Sequence, residues 1–393
     1  GYDIDPERIK QLSENYDRTN EISNELLKKR KIEYSSDPDI INGANYFIVT
    51  VPTPIDDSKT PDLSAILDAS RLIGSQIQPG AIVIYESTVW PGLTEDICAP
   101  EIEKISGLKY LKDFYVAYSP ERINPGDKEH TLSHITKLVS GDCAKTTKLV
   151  AALYGSINEN NIYIAPNIRT AEAAKVIENA QRDINIAFVN EIAQICHKLG
   201  LSSFEVLEAA KTKWNFLDFQ PGLVGGHCIG VDPYYLAHRA KQLGHHSEVI
   251  LAGRKTNDRM AEFICSQILE RFKTNYGKIL ILGLTFKKNV PDLRNSLIVN
   301  IADNLSKVGH KIDVHDPLAD IEQAKKIYGN ILLPSIPNDK KYDCLIAAVG
   351  HDQYAKMTAS QVLRLMNEDA MLVDIPGIWR RLDFPSNISR WVL

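Results

Sequence analysis

Short apolar segments alternate with amphipathic segments along most of the chain. In the first part, apolar runs rich in β-branched and aromatic residues occupy positions 46–51, 81–85 and 114–118. Helix-like patterns fill positions 63–73 and 94–105 between them. Apolar strands separated by helices are typical of a parallel sheet that is covered on both faces. The pattern therefore predicts an α/β fold at the start of the chain.

The middle of the chain changes to long helical patterns. Apolar residues recur at intervals of three and four between Thr170, a predicted N-cap, and Gly200, a predicted C-terminal stop. A second helical pattern covers 248–272. Long helices between two α/β halves often form a dimer interface, and a homodimer through the central helices is expected, although the stripe is equally compatible with packing inside one chain. The apolar stripe of the first helix consists of Ile177, Ala180, Ile184, Phe188, Ile192 and Ile195.

The α/β alternation begins again after Gly277. Strands are predicted at 278–282, 311–315, 344–349 and 370–374, with helices between them. The expected fold is therefore α/β, with two doubly wound, Rossmann-like domains joined by a long-helix connector. The predicted domain boundaries are 1–165, 166–272 and 273–393.

The composition is that of an ordinary soluble globular protein. The chain has 393 residues, of which 44% are hydrophobic and 24% are charged. A chain of this length is too long to fold around a single compact core, so more than one domain is expected. A net charge of −5 provides no polybasic face for nucleic acid or for a membrane surface. No apolar run reaches membrane-spanning length and no targeting peptide is recognisable, so the expected location is the cytoplasm.

The six cysteines indicate neither a disulfide framework nor a zinc site, because they are widely scattered without a CxxC pair. His245 and His246 have no cysteine or carboxylate companions in the surrounding sequence. No metal is therefore expected.

Cys228 differs from the other cysteines in its sequence context. It follows Gly225 and Gly226, which let the backbone bend sharply and would let a substrate approach the sulfur. Asp232, four residues later, is a candidate charge partner. Such a loop is compatible with a buried structural cysteine and also with a thiolate that forms a covalent intermediate.

Polar segments follow the predicted strands of the first α/β half. They occupy 51–54, 86–89 and 119–122, at the carboxyl ends of the strands, where parallel sheets bind their ligands. On the first long helix, Lys175 and Asn179 are four positions apart and therefore share one face. That face is either solvated or part of the same site.

The first residues match the end of a strand that turns into a helix, with Pro6 near the first helical position. An acidic residue such as Asp3 grips the adenosine ribose at this place in a dinucleotide-binding fold, although it also suits a plain helix cap. No G-x-G-x-x-G precedes it in this sequence. We expect the first strand and its glycine loop to precede Gly1 in the native protein.

Taken together, the ordered motifs of this chain resemble the nucleotide-sugar 6-dehydrogenases, that is, the UDP-glucose and GDP-mannose dehydrogenase family, from Gly1 to about residue 381. The segments 121–130 (ERINPGDKEH) and 212–216 (TKWNF) are similar to the branch that acts on UDP-N-acetylhexosamines. The motifs that carry the resemblance are 1–5 (GYDID), 51–54 (VPTP), 86–89 (ESTV), 119–126 (SPERINPG), 172–175 (EAAK) with Asn179, 225–228 (GGHC), and 286–288 (FKK) with Asp292 and Arg294.

The resemblance implies a four-electron oxidation of the sugar C6 alcohol to a carboxylate with two NAD+, in the synthesis of surface polysaccharide precursors. It implies that Cys228 captures the intermediate aldehyde as a thiohemiacetal, which becomes a thioester before water releases the acid. Covalent capture keeps the aldehyde from escaping and divides a difficult oxidation into easier steps.

The other catalytic roles also follow from the resemblance. Lys175 and Asn179 are implied to stabilise the developing alkoxide. Asp232 is implied to join Lys175 and water in a proton-transfer network. Glu121 is implied to orient or activate the water that attacks the thioester, and Thr88 to help position water.

The resemblance assigns NAD to the domain 1–165, the catalytic cysteine and dimerisation to 166–272, and the UDP-sugar to 273–393. The implied cofactor-binding residues are Asp3, Arg8, Thr53, Thr88 and Arg294. The implied substrate-binding residues are Glu121, Arg122, Asn124, Lys175, Asn179, Phe216, Gly225 and Lys287.

Several alternatives stay open at this point. UDP-N-acetylglucosamine is the favoured substrate, but the galacto and manno sugars would undergo the same chemistry, because a few polar groups in the pocket read the C2 and C4 configurations. A thiol hydrolase would also use Cys228 and would need no dinucleotide. His227, adjacent to Cys228, is expected to be structural or substrate-lining rather than the base of such a hydrolase. A non-catalytic, truncated form is also compatible with the start of the sequence.

Overall fold

The computed structural model describes residues 1–19, 21–124, 127, 129–272, 276–337 and 340–393. The chain divides into two compact units, 1–180 with 231–247 and 181–230 with 248–393. The domain boundaries 1–165, 166–272 and 273–393 stay a prediction. The boundary at 273 and the motif residues Pro125, Gly126 and Lys128 lie outside the described residues. Across the described residues, no helix combines the length and the apolar character that crossing a membrane requires.

The first unit contains a sheet with the strand order β1-β2-β3-β4-β5, as defined by the ranges below. Strands β1, β2 and β3 are parallel, β4 is antiparallel to β3, and β5 is parallel to β4. The first three coincide with the predicted apolar runs, while β4 and β5 were not predicted. The strands are β1 (Tyr46–Val49), β2 (Ile82–Tyr85), β3 (Tyr115–Tyr118), β4 (Lys137–Gly141) and β5 (Ile162–Ile164).

The second unit contains an all-parallel sheet with the order β11-β10-β9-β6-β7-β8. Strands β6 and β9 are neighbours whose connections run to opposite edges of the sheet, which places the switch point of a doubly wound fold at their carboxyl ends. The predicted α/β fold with two Rossmann-like sheets is confirmed. The strands are β6 (Lys278–Leu282), β7 (Lys311–His315), β8 (Leu332–Leu333), β9 (Tyr342–Ala347), β10 (Met366–Asp374) and β11 (Ser389–Val392).

Two of the predicted helical patterns are not continuous α-helices. The segment predicted as one helix at 94–105 begins with a π-helical turn, Thr94–Cys98, and the pattern at 248–272 is interrupted at Arg259. A short 3-10 helix covers Pro38–Ile41. The α-helices are α1 (Pro6–Ser13), α2 (Asn24–Lys29), α3 (Ser64–Gln76), α4 (Ala99–Ser106), α5 (Ala144–Gly155), α6 (Ile168–Leu199), α7 (Ser203–Lys211), α8 (Asp232–Gln242), α9 (Glu248–Asp258), α10 (Met260–Arg271), α11 (Ile298–Lys307), α12 (Ile321–Tyr328), α13 (Asp352–Ala355) and α14 (Ala359–Arg364).

Helix α6 begins earlier than predicted. The side-chain oxygen of Asn167 accepts hydrogen bonds from the Thr170 amide at 2.8 Å and from the Thr170 hydroxyl at 2.9 Å. Asn167 therefore fills the N-cap role, because it satisfies a free amide of the first turn. The predicted N-cap at Thr170 is wrong, and the predicted long helix itself is present.

Candidate active site

Three candidate catalytic side chains lie together in the first unit. Lys175 and Asn179 lie one turn apart on α6 and are 8% and 6% exposed, so their face of the helix is not solvated. Asp232, the first residue of α8, is 2% exposed. The Asn179 amide nitrogen donates a hydrogen bond of 2.5 Å to the Asp232 carboxylate. These residues are therefore assembled in one buried polar cluster, the Lys175–Asn179–Asp232 cluster.

The pKa of the Asp232 carboxyl group lies close to neutral pH. Burial raises its pKa to about 6, while the Lys175 charge and the Asn179 hydrogen bond oppose this shift. A carboxyl group with such a pKa can both take up and release a proton near neutral pH. The cluster thus combines a cation, a hydrogen-bond donor and a proton acceptor, which suits proton removal from an alcohol.

Glu172, which carried no assigned role, is a buried carboxyl group on the same helix. It is 0% exposed and accepts hydrogen bonds from the amides of Gly92 at 2.5 Å and Thr94 at 3.0 Å. Burial raises its pKa to about 7, and the hydrogen bonds from the 92–94 segment oppose the shift. Glu172 therefore anchors the segment after the ESTV motif to α6.

The pH dependence of folding should report on Glu172. Its pKa rises from an ordinary value of 4.5 to about 7 in the folded protein, so its contribution to stability is complete below about pH 4.5 and is lost as the pH rises to about 7. Chemical denaturation at several pH values is expected to show that Glu172→Gln gains about 2–3 kcal/mol relative to wild type across this window. Glu191→Gln, at an exposed position of α6, is the control. Parallel pH curves for wild type and Glu172→Gln would contradict the assignment.

The two candidate water-handling residues follow neighbouring parallel strands. Thr88 lies after β2 and Glu121 after β3, and these strands pair in register at Tyr85 and Tyr118. Thr88 is half-buried, whereas Glu121 is exposed and accepts a hydrogen bond from the Ile123 amide. Both loops therefore lie at the same edge of the sheet, as expected for a ligand site.

Arg122 and Asn124 are the implied substrate-binding residues that follow Glu121 in the loop after β3. Arg122 pairs with Glu178 of α6 at 2.8 Å and donates to the Thr136 carbonyl at 3.1 Å. Asn124 is exposed. The Arg122–Glu178 pair ties the Glu121 loop to the helix that carries the Lys175–Asn179–Asp232 cluster.

The residues present fit a dinucleotide at the N-terminal end of the chain. Tyr2 forms a parallel bridge with Ser35, and the exposed Asp3 carboxylate follows it, as a ribose ligand should at a strand end. Asp5 then caps α1 by accepting the Glu7 amide at 3.0 Å. The capping role therefore belongs to Asp5, and the ribose contact of Asp3 stays a prediction.

Arg8 and Thr53 are the remaining implied cofactor residues of this unit. One Arg8 nitrogen donates to Asp17 at 2.9 Å. Burial opposes ionisation of Asp17, but hydrogen bonds from Thr19, Ile22 and Arg8 lower its pKa to about 2. Thr53 is half-buried in the loop after β1.

Gly225 and Gly226, in the loop that carries Cys228, are required because neighbouring residues of the second unit lie very close to their backbone. A Cβ on Gly225 would lie 2.7 Å from the Asn295 carbonyl, and one on Gly226, whose φ is +83°, would lie 2.9 Å from the Phe286 ring. The Asn295 amide also donates to the Gly226 carbonyl at 3.1 Å. Cys228 is half-buried in this loop. The loop is therefore held against the segment that follows β6 and carries Lys287.

Arg294, an implied cofactor residue, lies near Cys228. Its guanidinium forms a two-pronged pair with Asp292, with distances of 2.7 and 3.0 Å. This pair chiefly raises the pKa of Arg294, and the nearby Cys228 sulfur adds to the shift. His227 Nδ1 lies 3.7 Å from the Asp292 carboxylate. Asp292 therefore links both neighbours of Cys228.

The loop that carries Lys287 has a buried support that sequence patterns did not indicate. Asp316 accepts the amides of Leu284 and Thr285 at 2.7 and 2.9 Å and lies 3.0 Å from His351 Nε2. The Asn289 amide donates to His351 Nδ1 at 2.9 Å, so the ring proton belongs on Nε2. Lys287 is half-buried between these two anchored ends. Phe216, the remaining implied substrate residue, is half-buried in the same unit.

Comparisons with known proteins match three successive parts of the chain to domains of one family. Models of the UDP-glucose/GDP-mannose dehydrogenase family match residues 1–158 (NAD binding domain), 169–259 (central domain) and 280–381 (UDP binding domain). Protein CapL of Staphylococcus aureus is 48% identical over 383 residues, which are 96% of this chain and 90% of the relative. UDP-N-acetyl-D-glucosamine 6-dehydrogenase of Pseudomonas aeruginosa is 46% identical over 381 residues, covering 95% of this chain and 90% of the relative. A solved structure of UDP-D-ManNAc dehydrogenase from Pyrococcus horikoshii has a TM-score of 0.86 at 29% identity, covering 100% of this chain and 92% of that one.

Proposed function

The chain belongs to the UDP-glucose/GDP-mannose dehydrogenase family, and from this we propose that it oxidises the C6 alcohol of a UDP-N-acetylhexosamine to a carboxylate. The predicted family, its NAD cofactor and its oxidoreductase activity are confirmed. The observation that carries the proposal is the buried Lys175–Asn179–Asp232 cluster, because it supplies the groups that removal of an alcohol proton needs.

The proposed substrate is UDP-N-acetylglucosamine. Support comes from 46% and 43% identity with the UDP-N-acetyl-D-glucosamine 6-dehydrogenases of Pseudomonas aeruginosa and Salmonella typhi. Identity with the UDP-N-acetyl-D-mannosamine dehydrogenase of Pyrococcus horikoshii is 34% over 81% of this chain. UDP-N-acetylgalactosamine and UDP-N-acetylmannosamine are the alternative substrates for the same chemistry.

The first half of the proposed mechanism produces an aldehyde. Bound NAD+ supplies the hydride acceptor, once for each of the two oxidations. Asp232 receives the hydroxyl proton through water, while Lys175 and the Asn179 amide stabilise the developing alkoxide. Removal of the C6 hydride then leaves the aldehyde.

The second half passes through Cys228. Its thiolate adds to the aldehyde carbon to form a thiohemiacetal, and removal of the second C6 hydride leaves a thioester. Water then attacks the thioester carbonyl with its proton passing to Glu121, and the carbon–sulfur bond breaks to return the thiolate. Thr88 is proposed to position this water, and the acid is the product.

A panel of UDP-sugars offered with NAD+ to the full-length protein tests this function through nicotinamide absorbance. We expect turnover with UDP-N-acetylglucosamine to exceed that with the galacto and manno sugars, and about two NADH to form per sugar consumed. One NADH per sugar with accumulating aldehyde would contradict the thioester half. The absence of NADH with every sugar would favour the non-catalytic or thiol hydrolase alternatives.

Replacing Lys287 with alanine is expected to weaken UDP-sugar binding. The loop after β6 holds Lys287 in the part that matches the UDP binding domain, and loss of a charge-assisted hydrogen bond should raise the KM for UDP-sugar about 10- to 100-fold. The KM for NAD+ should stay within about twofold. Lys288→Ala is the control, because the exposed Lys288 pairs with Asp352 at 2.8 Å. Equal effects of the two variants on the UDP-sugar KM would contradict the role of Lys287.

A homodimer through α6 is proposed as the assembly. Phe188, Ile195 and Leu199 of this helix are 55%, 46% and 66% exposed in the single chain. Apolar faces of this kind are commonly covered by a partner. Sedimentation is expected to give a dimer for wild type and for Arg182→Asp, and a monomer for Phe188→Asp. A dimer of unchanged affinity in Phe188→Asp would place the interface elsewhere.

A further inference from the structure

One largely buried ion pair joins the two candidate water-handling loops of the first unit. Lys137, the first residue of β4, is 1% exposed, and its Nζ lies 3.1 Å from a Glu86 carboxylate oxygen and 3.1 Å from the Pro120 carbonyl. Glu86 follows β2 and begins the ESTV motif that contains Thr88. Pro120 directly precedes Glu121. A single ammonium group therefore bonds to both loops.

A tyrosine completes the surroundings of the pair. The hydroxyl of Tyr154, which is 4% exposed on α5, donates to the second carboxylate oxygen of Glu86. The ring of Tyr154 also lies 4.7 Å from Lys137 Nζ, within the range of a cation–π contact. The Glu121 amide points to the Glu86 carbonyl at 3.4 Å, a second link between the loops. Both oxygens of Glu86 thus have donors, and the loops are coupled at two points.

A buried pair of this kind is poorly explained by stability alone. Removing two charges from water is unfavourable, and an apolar pair of similar volume is often as stable or more stable. What the ion pair does is fix the position of one loop relative to the other. It holds the Pro120 carbonyl, and hence Glu121, relative to the backbone of Glu86 and the segment leading to Thr88.

We propose that Lys137 and Glu86 are positioning residues for the hydrolytic step, acting through the shared hold on the Thr88 and Glu121 loops. This rests on the proposed function. In that step water adds to the thioester carbonyl, its proton passes to Glu121, and the carbon–sulfur bond breaks to release the Cys228 thiolate. No hydride moves in it. Disturbing the pair should therefore slow hydrolysis and leave both hydride transfers intact.

Rapid mixing of Lys137→Met with UDP-N-acetylglucosamine and excess NAD+ tests the proposal. We expect a burst of about two NADH per active site, followed by steady turnover at least about tenfold slower than that of wild type. Acid-quenched protein should carry the acyl group as added mass at Cys228. The UDP-sugar KM should stay within about threefold. Lys148→Met, at an exposed position of α5, is the matched control and should behave as wild type.

A second variant separates positioning from folding. Lys137→Met with Glu86→Leu removes both charges, and it is expected to restore thermal stability lost in Lys137→Met while the burst and the acylated protein persist. Loss of burst and steady rate in equal proportion would contradict the proposal, as would wild-type turnover in the double variant.

A comparison of Lys137→Met with Glu121→Gln separates loss of the positioning role from loss of the thioester step. Glu121→Gln, which changes the catalytic residue itself, should also accumulate the acyl group. Acylated Glu121→Gln together with unacylated Lys137→Met would refute only the positioning role. The absence of acylated protein in both variants, with Cys228→Ser as the blank, would refute the thioester step itself.

Discussion

Replacing Cys228 with serine is expected to lower turnover by about 10³-fold or more, with the UDP-sugar KM changed by less than about threefold. The thiolate is both the nucleophile and the leaving group of the proposed mechanism, and a serine hydroxyl is much poorer in both roles. Any residual reaction should stop at the aldehyde or at a covalent adduct. Steady-state NADH formation and mass analysis of quenched protein measure the two effects.

Cys143→Ser provides the control for this substitution. Cys143 is also half-buried, but it lies next to Thr146 at the start of α5 and has no role in the mechanism. Its replacement should leave turnover within about twofold of wild type. Substantial turnover in Cys228→Ser would return this cysteine to a structural role.

Lys175→Met is expected to reduce kcat by about 10²- to 10³-fold, the usual effect of removing a group that stabilises an oxyanion in a buried site. It should also move the pH profile of the residual activity. The Lys175 charge lowers the pKa of Asp232, which is about 6 in the intact cluster, so its removal should raise that pKa and shift the acidic limb to higher pH.

Lys198→Met, at an exposed position of the same helix, is the control for both effects. A pH profile that keeps its position in Lys175→Met would separate Lys175 from Asp232. An unchanged kcat would remove Lys175 from the chemistry.

Some strands are predicted by hydrophobic pattern alone because they are buried on both faces. Strands β2 and β6 belong to this class, because burial on both faces selects continuous apolar runs. Strand β4 escaped prediction because it begins with Lys137 and ends at Gly141, a mixture that resembles a strand flank. The charge of its lysine inside the protein is neutralised by Glu86, which is 51 positions away in the sequence.

The helix boundaries that were predicted wrongly depend on contacts over long sequence distances or on the choice between two nearby capping residues. The π-helical turn at Thr94–Cys98 begins where the amides of Gly92 and Thr94 bond to Glu172, about 80 positions away. At the start of α6, both Asn167 and Thr170 have capping side chains, and the general preference for Asn over Thr at an N-cap agrees with the structure.

The catalytic candidates were predictable from motifs, but their arrangement was not. The spacing of Lys175 and Asn179 predicts a shared helix face, yet only the fold brings Asp232 of α8 to it. The supports of the loops, Glu172 and the Lys137–Glu86 pair, contain ordinary charged residues without a distinctive local pattern. Their signal is burial, which a single sequence does not reveal.

The contact between Phe286 and the cysteine loop also constrains how this protein can change over evolutionary time. The ring occupies the space that a side chain on Gly226 would need, and the same residue is the immediate neighbour of Lys287. A mutation that enlarges Gly226 therefore needs both a smaller ring and a change in its φ of +83°, while a smaller ring alone leaves a gap against this glycine. Neither order of events is neutral. The two segments should consequently drift together or not at all, so that new sugar specificities arise more readily in loops that do not interlock.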